Sequence, residues 1–561
     1  MGVLGCFSLA DRRIPSPERV TWQLREPPAA GKMRAPFEHG RTNLMIVRRD
    51  IPVTLGLCAL LASTAASADP EPQPIRDGTY IDTDGSVRDV DEELERRLDH
   101  RDAHVWRTWR EMVIGLSVLS VGYWLGMDRQ VADWDNPRPE QRLDGTAWRT
   151  DNNALSVNFA LHPAGGGVAY AWARAYHHNV YGAAAYGFLS QFIWEFVLEF
   201  KEKVSVNDMI VTPTAGIPIG EFFHKLGLYL DSAQKPGTGT QIAQWSLGAG
   251  VQVDRWLDER DHEVPRARDS LGMTSDIWHD FTASGEAHWA SRENGTGHPL
   301  ARTAIDARLV SIPGYLKPGR FSRSFWNADV TSAQLGFEVS EHYVGATFAA
   351  DTLIFGQHTQ NIEGSSRPVR GAAFTSGMSV GFSYLDSLAN DVIEKWGALH
   401  MLGPGMDLHL LAPGFRLDLS GRASFDYVGI TVLDAFQIWH EENPRLRSKG
   451  ILRHQDYLYA WGGSERLSGR LRLGPLRLDG LLVYGQYRSQ DGLNRWQEKV
   501  EHDTKGGTEL LRYRYGLQIQ PPCSPMAMGI SNEVRLWKTW LDYLHRRARV
   551  DTWGMYFTAD F

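Results

Sequence analysis

Apolar and polar residues alternate with a period of two through most of the second half of the chain. In the clearest stretch, 415–427, apolar residues and glycine occupy the odd positions, while Arg, Asp and Ser occupy the even ones. Such alternation predicts strands with one apolar and one polar face. Together with weaker runs, it predicts about a dozen strands, at 281–289, 301–309, 333–340, 344–350, 374–384, 406–410, 415–427, 467–473, 476–484, 511–519, 534–541 and 550–561.

A further alternating run lies earlier, at 245–254, where Trp245, Leu247, Ala249, Val251 and Val253 are separated by polar residues and glycine. It predicts a strand and sets the expected start of the β region near residue 237. That region is expected to be an antiparallel barrel, because about a dozen two-faced strands suit barrel closure.

Helical periodicity precedes the strands. Residues 169–178, 182–203 and 218–231 are predicted helices, and the breakers between them are expected at 164–167 and 212–213. The fold class is therefore α+β, an N-terminal helical region followed by a transmembrane-type barrel of about 12 strands. The predicted parts are a leader and signal peptide (1–68), a linker with a helical segment (69–151), a helical domain (152–236) and the barrel (237–561).

A period of two does not by itself separate a membrane barrel from a soluble β-sandwich. Two features of the runs favour the membrane. The runs extend over about 9–13 residues, which suits a tilted strand crossing a bilayer. Their polar faces also carry charges that a polar lumen tolerates, at Arg416, Asp418, Arg422, Asp426, Arg470, Arg472, Arg512 and Arg514.

The end of the chain is the third feature. The sequence VDTWGMYFTADF places Trp553, Met555, Phe557 and Phe561 on one face of a last strand. This resembles the C-terminal recognition signal of bacterial outer-membrane proteins, although Ala559 stands where a larger apolar residue is common. The resemblance implies that Phe557 and Phe561 form the signal read by the barrel-assembly machinery.

An export signal is predicted to begin near Met45. Arg48 and Arg49 precede an apolar run at 51–61, and Ala66-Ser67-Ala68 follows as a small-x-small site. A basic segment, a short apolar segment and such a site define a secretory signal peptide, so cleavage is expected after Ala68. The predicted location is the cell outer membrane, with the lipid bilayer as a partner.

Composition excludes other classes. The net charge of -8 gives no basic field for nucleic acid, and the 3 Cys form no zinc-type spacing with His. No metal or cofactor is predicted, and the sequence does not indicate an oligomeric state.

Residues 152–231 hold ionisable groups on otherwise apolar helices. Glu195 and Glu199 are one turn apart and share a face with Gln191. Buried charges need partners, and Arg174 is the expected counter-ion. The predicted polar network consists of Arg174, Glu195, Glu199 and Glu221, and docks the helices to each other or into the barrel mouth.

The same segment resembles a bacterial envelope family catalogued as domain of unknown function 3943. The resemblance implies an envelope location and no known activity. It covers about 80 residues and is carried by Asn158, His162, Pro163, Tyr170, Ala173, Arg174, Trp194, Glu195, Glu199, Ser205, Asp208, Thr212, Pro213, Gly216, Gly220 and Glu221.

Three functions stay open. The favoured one is an outer-membrane barrel protein with a periplasmic or lumen-docked helical domain, acting in envelope structure or transport. An outer-membrane hydrolase of lipid or peptidoglycan would use His162 with Glu195, Glu199 or Asp208 to activate water or the Ser205 hydroxyl, or would hold a metal there. No complete catalytic motif is present, which weighs against an enzyme. A polytopic inner-membrane protein is the third.

Overall fold

The computed structural model describes most of the chain after residue 75. The predicted leader and signal peptide, with Ala66 and Ala68, lies outside the described residues, as does Cys523. The described ranges are 76–97, 102–126, 136–151, 153–259, 265–292, 297–341, 343–364, 369–389, 392–431, 435–442, 457–489, 505–521 and 524–561.

Short elements and one long helix come first. They are β1 (Thr79–Ile81), β2 (Val87–Asp89), α1 (Val90–Arg97), α2 (Val105–Gly126), α3 (Pro139–Leu143) and β3 (Trp148–Arg149).

The helical domain follows, and comprises two π-helical turns (Val157–Leu161 and Trp194–Leu198), α4 (His162–Ala175), α5 (Val180–Ile193), β4 (Val204–Ser205), α6 (Val206–Asp231), α7 (Thr238–Leu247) and α8 (Ala249–Leu257).

The remaining strands are long and antiparallel. They are β5 (Trp278–Arg292), β6 (Gly297–Val310), β7 (Gly319–Phe325), β8 (Val330–Ser340), β9 (Val344–Glu363), β10 (Arg370–Ala389), β11 (Val392–Ala412), β12 (Phe415–Thr431), β13 (Tyr457–Leu473), β14 (Leu476–Ser489), β15 (Gly506–Ile519), β16 (Met526–Leu541) and β17 (Leu544–Asp560). One helix, α9 (Ala435–Glu442), lies between β12 and β13.

Twelve of these strands close into a barrel, because β17 pairs with β5 and the chain of pairings from β5 through β6 and β8 to β17 is unbroken. The backbone N–H of Phe561 donates to the carbonyl of Phe281 at 2.9 Å. The predicted fold class is confirmed, and every barrel strand overlaps one of the predicted alternating runs. The sheet continues from β9 through β7 and β1 to β2, outside the closed ring of strands.

Two local predictions were wrong. The run 245–254 forms α7 and α8 and no strand, so the barrel begins at Trp278. The expected breakers at 164–167 and 212–213 lie inside α4 and α6, whose Pro213 and Pro218 are both helical. The reason is that small residues there serve helix packing: a Cβ on Gly166 would lie 2.0 Å from the carbonyl oxygen of Thr212.

The polar faces of the strands point into the barrel, as predicted, and their charges pair across it. Arg308 on β6 binds Asp407 on β11 at 2.6 Å, and Arg302 binds Glu533 on β16 at 3.0 Å. Arg470 on β13 lies 3.3 Å from Asp280 on β5. Strands that far apart in the barrel meet only across its lumen, so side chains fill the lumen from wall to wall.

Apolar clusters fill both mouths. At the end where β17 finishes, Tyr80 of β1 and Tyr315 pack with Phe321 of β7 and inward residues of the barrel. At the opposite end, Trp439 of α9 packs among inward residues and its indole N–H donates to Asp542 at 3.0 Å. The described barrel is therefore a filled body and not an open tube.

The outward faces are apolar. On β14 to β17, large apolar side chains project from the wall without protein cover; Tyr515 is 49% exposed and Trp553 is 51% exposed. A belt of this kind suits hydrocarbon, which is the solvent of a transmembrane barrel's outer face.

The helical domain lies against the outer wall of the other strands. One outward residue from each of eight strands contacts α6 or its neighbours, and each is the direct cross-strand partner of the next: Phe281, Ala307, Ala333, Ala350, Phe382, Leu399, Tyr427 and Trp461. The line spans about 34 Å at about 4.8 Å per strand. A 26-residue helix is about 39 Å long, so α6 crosses the strands at nearly right angles.

Phe159, in the π-helical turn before α4, contacts the barrel wall near the end of this line that lies on β11 and β12. Gly397 and Gly429 are paired on β11 and β12, and their outward faces meet this ring: a Cβ on Gly397 would lie 2.2 Å from the Cβ of Phe159. Tyr427, which faces outward like Tyr515, is only 2% exposed because the helical domain covers it.

Of the two predicted placements, periplasmic or docked in the lumen, docking in the lumen was wrong. The lumen is already occupied by paired charges, whereas the apolar stripe of α6 finds its partner on the apolar outer wall. The stripe consists of Val211, Ala215, Ile219, Phe222 and Tyr229.

The surface that the helical domain turns away from the barrel is apolar as well. Phe188, Phe192, Val197 and Phe200 are exposed along α5 and the π-helical turn after it, and α2 exposes a further apolar set. No helix in the described part of the chain combines the length and the hydropathy needed to cross a membrane.

Candidate functional site in the helical domain

His162 and Asp208 form the centre of the predicted site. His162 opens α4 directly after a π-helical turn, and Asp208 lies in the first turn of α6. Their Nδ1 and Oδ1 atoms are 2.9 Å apart. Burial lowers the pKa of His162, but the negative charge of Asp208 outweighs burial and raises it to about 9. The imidazole is therefore held as a cation at neutral pH.

Glu195 and Glu199 lie beside this pair. Glu195 accepts from the Gln191 side-chain amide at 2.9 Å and from the backbone N–H of Ser205 at 2.8 Å. The Trp194 indole donates to Glu199 at 2.7 Å. Burial is the main reason that the pKa of each carboxyl is raised, well above its ordinary value for Glu195 and to about 7 for Glu199. Both acids hold a proton more tightly than a solvated glutamate.

Ser205, the candidate nucleophile, caps α6. Its hydroxyl accepts the backbone N–H of Asp208 at 3.3 Å and donates to the Asn207 side chain at 3.1 Å. This is the ordinary use of a serine at a helix N-terminus.

Arg174 does not pair with Glu195. Its guanidinium binds Glu221 at 2.7 Å, and Glu221 also accepts from Tyr170 at 2.9 Å and lies 3.4 Å from Lys225. Burial raises the pKa of Glu221, but the charges of Arg174 and Lys225 outweigh it and lower the pKa to about 2. The predicted polar network is therefore divided into two clusters, one around Glu221 and one around His162.

Sequence reasoning missed the residue that holds the Glu195 turn. Arg142 on α3 donates to the backbone carbonyls of Glu195 and Glu202, and to that of Glu199 at 3.2 Å. No periodic signal marked this arginine, because it lies in a short helix within a segment that reads as a polar linker.

A hydrogen-bonded bridge joins the site to the barrel. The Asn158 amide donates to the hydroxyls of Tyr457 and Tyr459 at 3.0 and 2.7 Å. The Tyr459 hydroxyl donates to the carbonyl of Asp151, whose N–H donates to Asn207 beside Asp208. The Tyr457-x-Tyr459 pair on β13 is the feature of the sequence that could have indicated this contact.

The arrangement can do two things chemically. A cationic imidazole beside acids with raised pKa values can exchange protons, and the same groups can lock helices together. Among the described residues, the one group of three or more His, Cys, Asp or Glu side chains close enough to share a metal lies elsewhere, at His104, His177, Asp254 and Asp258. The geometry gives no support to a metal at His162.

Solved structures with similar architecture are distant. The translocator domain of autotransporter NalP from Neisseria meningitidis is 9% identical, with 56% of this chain and 96% of that chain covered and a TM-score of 0.17. The outer membrane protease OmpT from Escherichia coli is 10% identical, with 51% and 97% covered and a TM-score of 0.15. TM-scores this low carry no argument, so the barrel assignment rests on strand pairing.

No curated protein matches the chain. A family model does: residues 147–251 match the family described as Domain of unknown function (DUF3943). The match spans the helical domain from the strand before it to α8 and includes every position that carried the predicted resemblance. Residues 147–251 therefore carry a domain of this family, attached to a twelve-stranded barrel.

Proposed function

We propose that this chain is an outer-membrane protein in which a filled β-barrel anchors the helical domain within the lipid beside its wall. Its role on this proposal is structural, in the organisation of the envelope, and not the passage of solutes. The observation that carries the proposal is the packing of α6 and its neighbours against the outward faces of β5 to β13.

The barrel supports an outer-membrane location. Its wall is apolar outside and charged inside, and its last strand ends in Phe557 and Phe561, both exposed on the outer face. An aromatic end to the closing strand supports insertion by the barrel-assembly machinery.

Lipid is the environment that suits the side of the helical domain that faces away from the barrel. Large apolar side chains are exposed on α2, on α5 and on the turn that contains Val197. Contiguous apolar patches of this kind are rare on soluble monomers. The polar side chains around His162 and Glu221 are turned inward among the helices, so the domain presents hydrocarbon-compatible surface outward.

Nitroxide accessibility tests this placement. A label at Phe192→Cys is placed in a chain that also carries Cys6→Ser, Cys58→Ser and Cys523→Ser. The labelled protein is reconstituted in bilayers, and the collisions of the label with oxygen and with a water-soluble nickel chelate are compared. We expect high oxygen and low nickel accessibility, because oxygen concentrates in hydrocarbon. The matched control is Asp144→Cys, an exposed polar position before the domain, where nickel accessibility should be high.

Equal nickel accessibility at the two positions would place the domain in water and overturn the proposal. A label at Trp553→Cys on β17 calibrates the assay, because that side chain belongs to the uncovered barrel belt.

A second candidate is hydrolysis of an envelope lipid or of peptidoglycan, which the His162–Asp208 contact favours. The test is release of product from vesicle lipid and from peptidoglycan by the purified protein and by His162→Gln. A rate that falls in the variant, with unchanged heat-modifiable gel migration, supports the enzyme. Equal rates, or none in either protein, exclude it for those substrates.

A further inference from the structure

A second cluster of ionisable side chains lies in the helical domain, apart from His162. It forms where the segment before α2, the end of α4 and one face of α8 meet. One donor atom from each of His104, His177, Asp254 and Asp258 lies within 4.8 Å of all the others.

The two aspartates are arranged alike. Asp254 lies on α8 and Asp258 caps its C-terminus, four residues later, so both lie on the same side of the helix end. One oxygen of each faces a histidine Nε2, at 3.4 Å between Asp254 and His177 and at 3.9 Å between Asp258 and His104. The other oxygen of each binds Arg107, at 3.2 Å and 2.7 Å respectively. Arg107 thus orients both carboxylates and leaves an oxygen of each directed at an imidazole.

The backbone fixes the histidines. His177, two residues after the end of α4, adopts a left-handed conformation with φ of 66°, a region that few residues other than glycine adopt and in which Asn, Asp and His are enriched. The His104 N–H donates to the carbonyl of Tyr176 at 3.1 Å, so the two histidine segments are tied together. Their ring centroids are 5.3 Å apart.

We propose that these four side chains bind one divalent transition-metal ion of the zinc class. Two imidazole nitrogens and two carboxylate oxygens are a tetrahedral donor set that zinc accepts. With bonds of about 2.0–2.2 Å, neighbouring donors in such a site are about 3.3–3.6 Å apart. The His177–Asp254 pair already has this spacing and the His104–Asp258 pair exceeds it by a few tenths of an ångström. The other donor pairs, all within 4.8 Å, must close by up to about 1.5 Å when the ion binds.

Charge and burial agree with this choice. The two aspartates supply anionic ligands for a divalent cation, and Arg107 offsets one of their two charges. Asp254 and His177 are nearly fully buried, with 3% and 6% of their side chains exposed. Calcium and magnesium prefer six or more oxygen ligands, which this nitrogen-containing set does not supply. The ion would add a further tie between α2, α4 and α8, which already meet through Arg107 and through Glu111, which accepts from the Trp172 indole at 2.9 Å.

The test uses the full chain in detergent after treatment with a chelator. Zn²⁺ is titrated by calorimetry and Co²⁺ by visible absorption. We expect one ion per chain and the intense bands of tetrahedral Co²⁺. His177→Asn and Asp258→Asn should each weaken binding at least about tenfold, because each removes one of four ligands. His545→Asn, at an exposed histidine on β17, should leave binding unchanged.

Heat-modifiable gel migration checks that each variant keeps a folded barrel, and helical circular dichroism checks the domain. Failure of the wild-type chain to bind Zn²⁺ saturably, or equal affinity in a folded His104→Asn, His177→Asn double variant, would overturn the site. An octahedral Co²⁺ spectrum would overturn it as well.

Discussion

Glu221 shows how one residue fixes the interior of the helical domain. The carboxylate has no exposed surface, yet Arg174, Lys225 and Tyr170 surround it. A buried ion pair adds little net stability, but removing one partner leaves an uncompensated charge, which costs about 3–5 kcal/mol. When Arg174 is removed, Lys225 still offsets the charge of Glu221, so the expected loss is smaller and reflects the hydrogen bonds that Arg174 donates to this carboxylate.

Arg174→Ala is expected to lower the free energy of unfolding of the helical domain by about 1.5–3 kcal/mol, the range for hydrogen bonds to a charged group. The measurement is urea unfolding followed by helical circular dichroism in detergent. Arg110→Ala is the control, because Arg110 is 63% exposed beside Glu111 and an exposed pair is worth about 0–1 kcal/mol. A loss in Arg174→Ala no larger than that of the control would contradict the burial argument.

Glu199 is expected to make the stability of the helical domain depend on pH. Its pKa in the folded chain is raised from 4.5 to about 7, mainly by burial. The folded state therefore holds this proton more tightly than the unfolded state does. Below pH 4.5 the carboxyl is protonated in both states and does not affect stability. Between pH 4.5 and 7 the unfolded chain releases the proton while the folded chain keeps it, so the free energy of unfolding falls as pH rises.

Glu199→Gln removes that penalty while keeping an acceptor for the Trp194 indole. We expect the variant to melt at the same temperature as wild type near pH 4, and at a higher temperature above pH 7. Glu140→Gln, at an exposed position on α3, should show no such pH-dependent gain. A gain in Glu199→Gln that is constant across the pH range would contradict the assignment.

The sequence marked ionisable residues that the structure places in two clusters, but it did not indicate all their partners. Charges on apolar helices marked His162, Glu195 and Glu221. Which charge meets Arg174 depends on how α4 rotates against α6, and periodicity along one helix carries no information about a second helix.

At the scale of elements, glycines set how closely α4 and α6 pack. Gly216 and Gly220 on α6 face Gly166 and Gly167 on α4, and a Cβ on Gly216 would lie 2.5 Å from the carbonyl carbon of Gly166. Gly216 and Gly220 have the Gly-x-x-x-Gly spacing that allows close helix packing, and the two helices approach there backbone to backbone.

Gly166→Ala and Gly165→Ala form a matched pair within α4. The first places a methyl group 2.0 Å from the Thr212 carbonyl oxygen, whereas the second has no atom within 4 Å. Overpacking costs about 1–3 kcal/mol, and an exposed helical alanine gains up to about 1 kcal/mol over glycine. Urea unfolding of the helical domain should therefore move in opposite directions. Equal effects would mean that α4 and α6 are not in contact here.

The barrel strands were predictable and the pair α7–α8 was not. Each strand has one polar face toward the lumen and one apolar face toward the outside of the barrel, so the period of two is clear. The run at 245–254 alternates too, but Gln244, Gly248 and Val251 also lie at helical spacing. They pack on α6, where Gly248 meets Gly227, and this contact decides the structure.

At the scale of the whole molecule, the filled lumen has a direct consequence. Arg308 and Asp407 bridge the walls, and both mouths are filled by apolar clusters. We expect the purified protein to give no stable conductance steps in planar bilayers. Steps of uniform size that persist at high salt would contradict a filled barrel, because salt does not remove the apolar fillings.

The docking of the helical domain could not be predicted from the strands. Tyr427, which the helical domain covers, and Tyr515, which it does not, follow the same alternation. Each lies on the outward, apolar face of its strand. Only the partner surface, the stripe of Val211, Ala215 and Ile219 on α6, distinguishes them, and that stripe equally suits any apolar surface.

Photo-cross-linking from Phe159 tests the central claim most directly. A benzophenone amino acid replaces Phe159 in membranes, and the linked peptides are identified by mass spectrometry. Because this ring contacts Gly397 and Gly429 on the outer wall, the account predicts links to β11–β13. Links to lumen-facing residues such as Asp407 or Arg470, or to none of the barrel strands, would show that the helical domain does not rest on the outer wall.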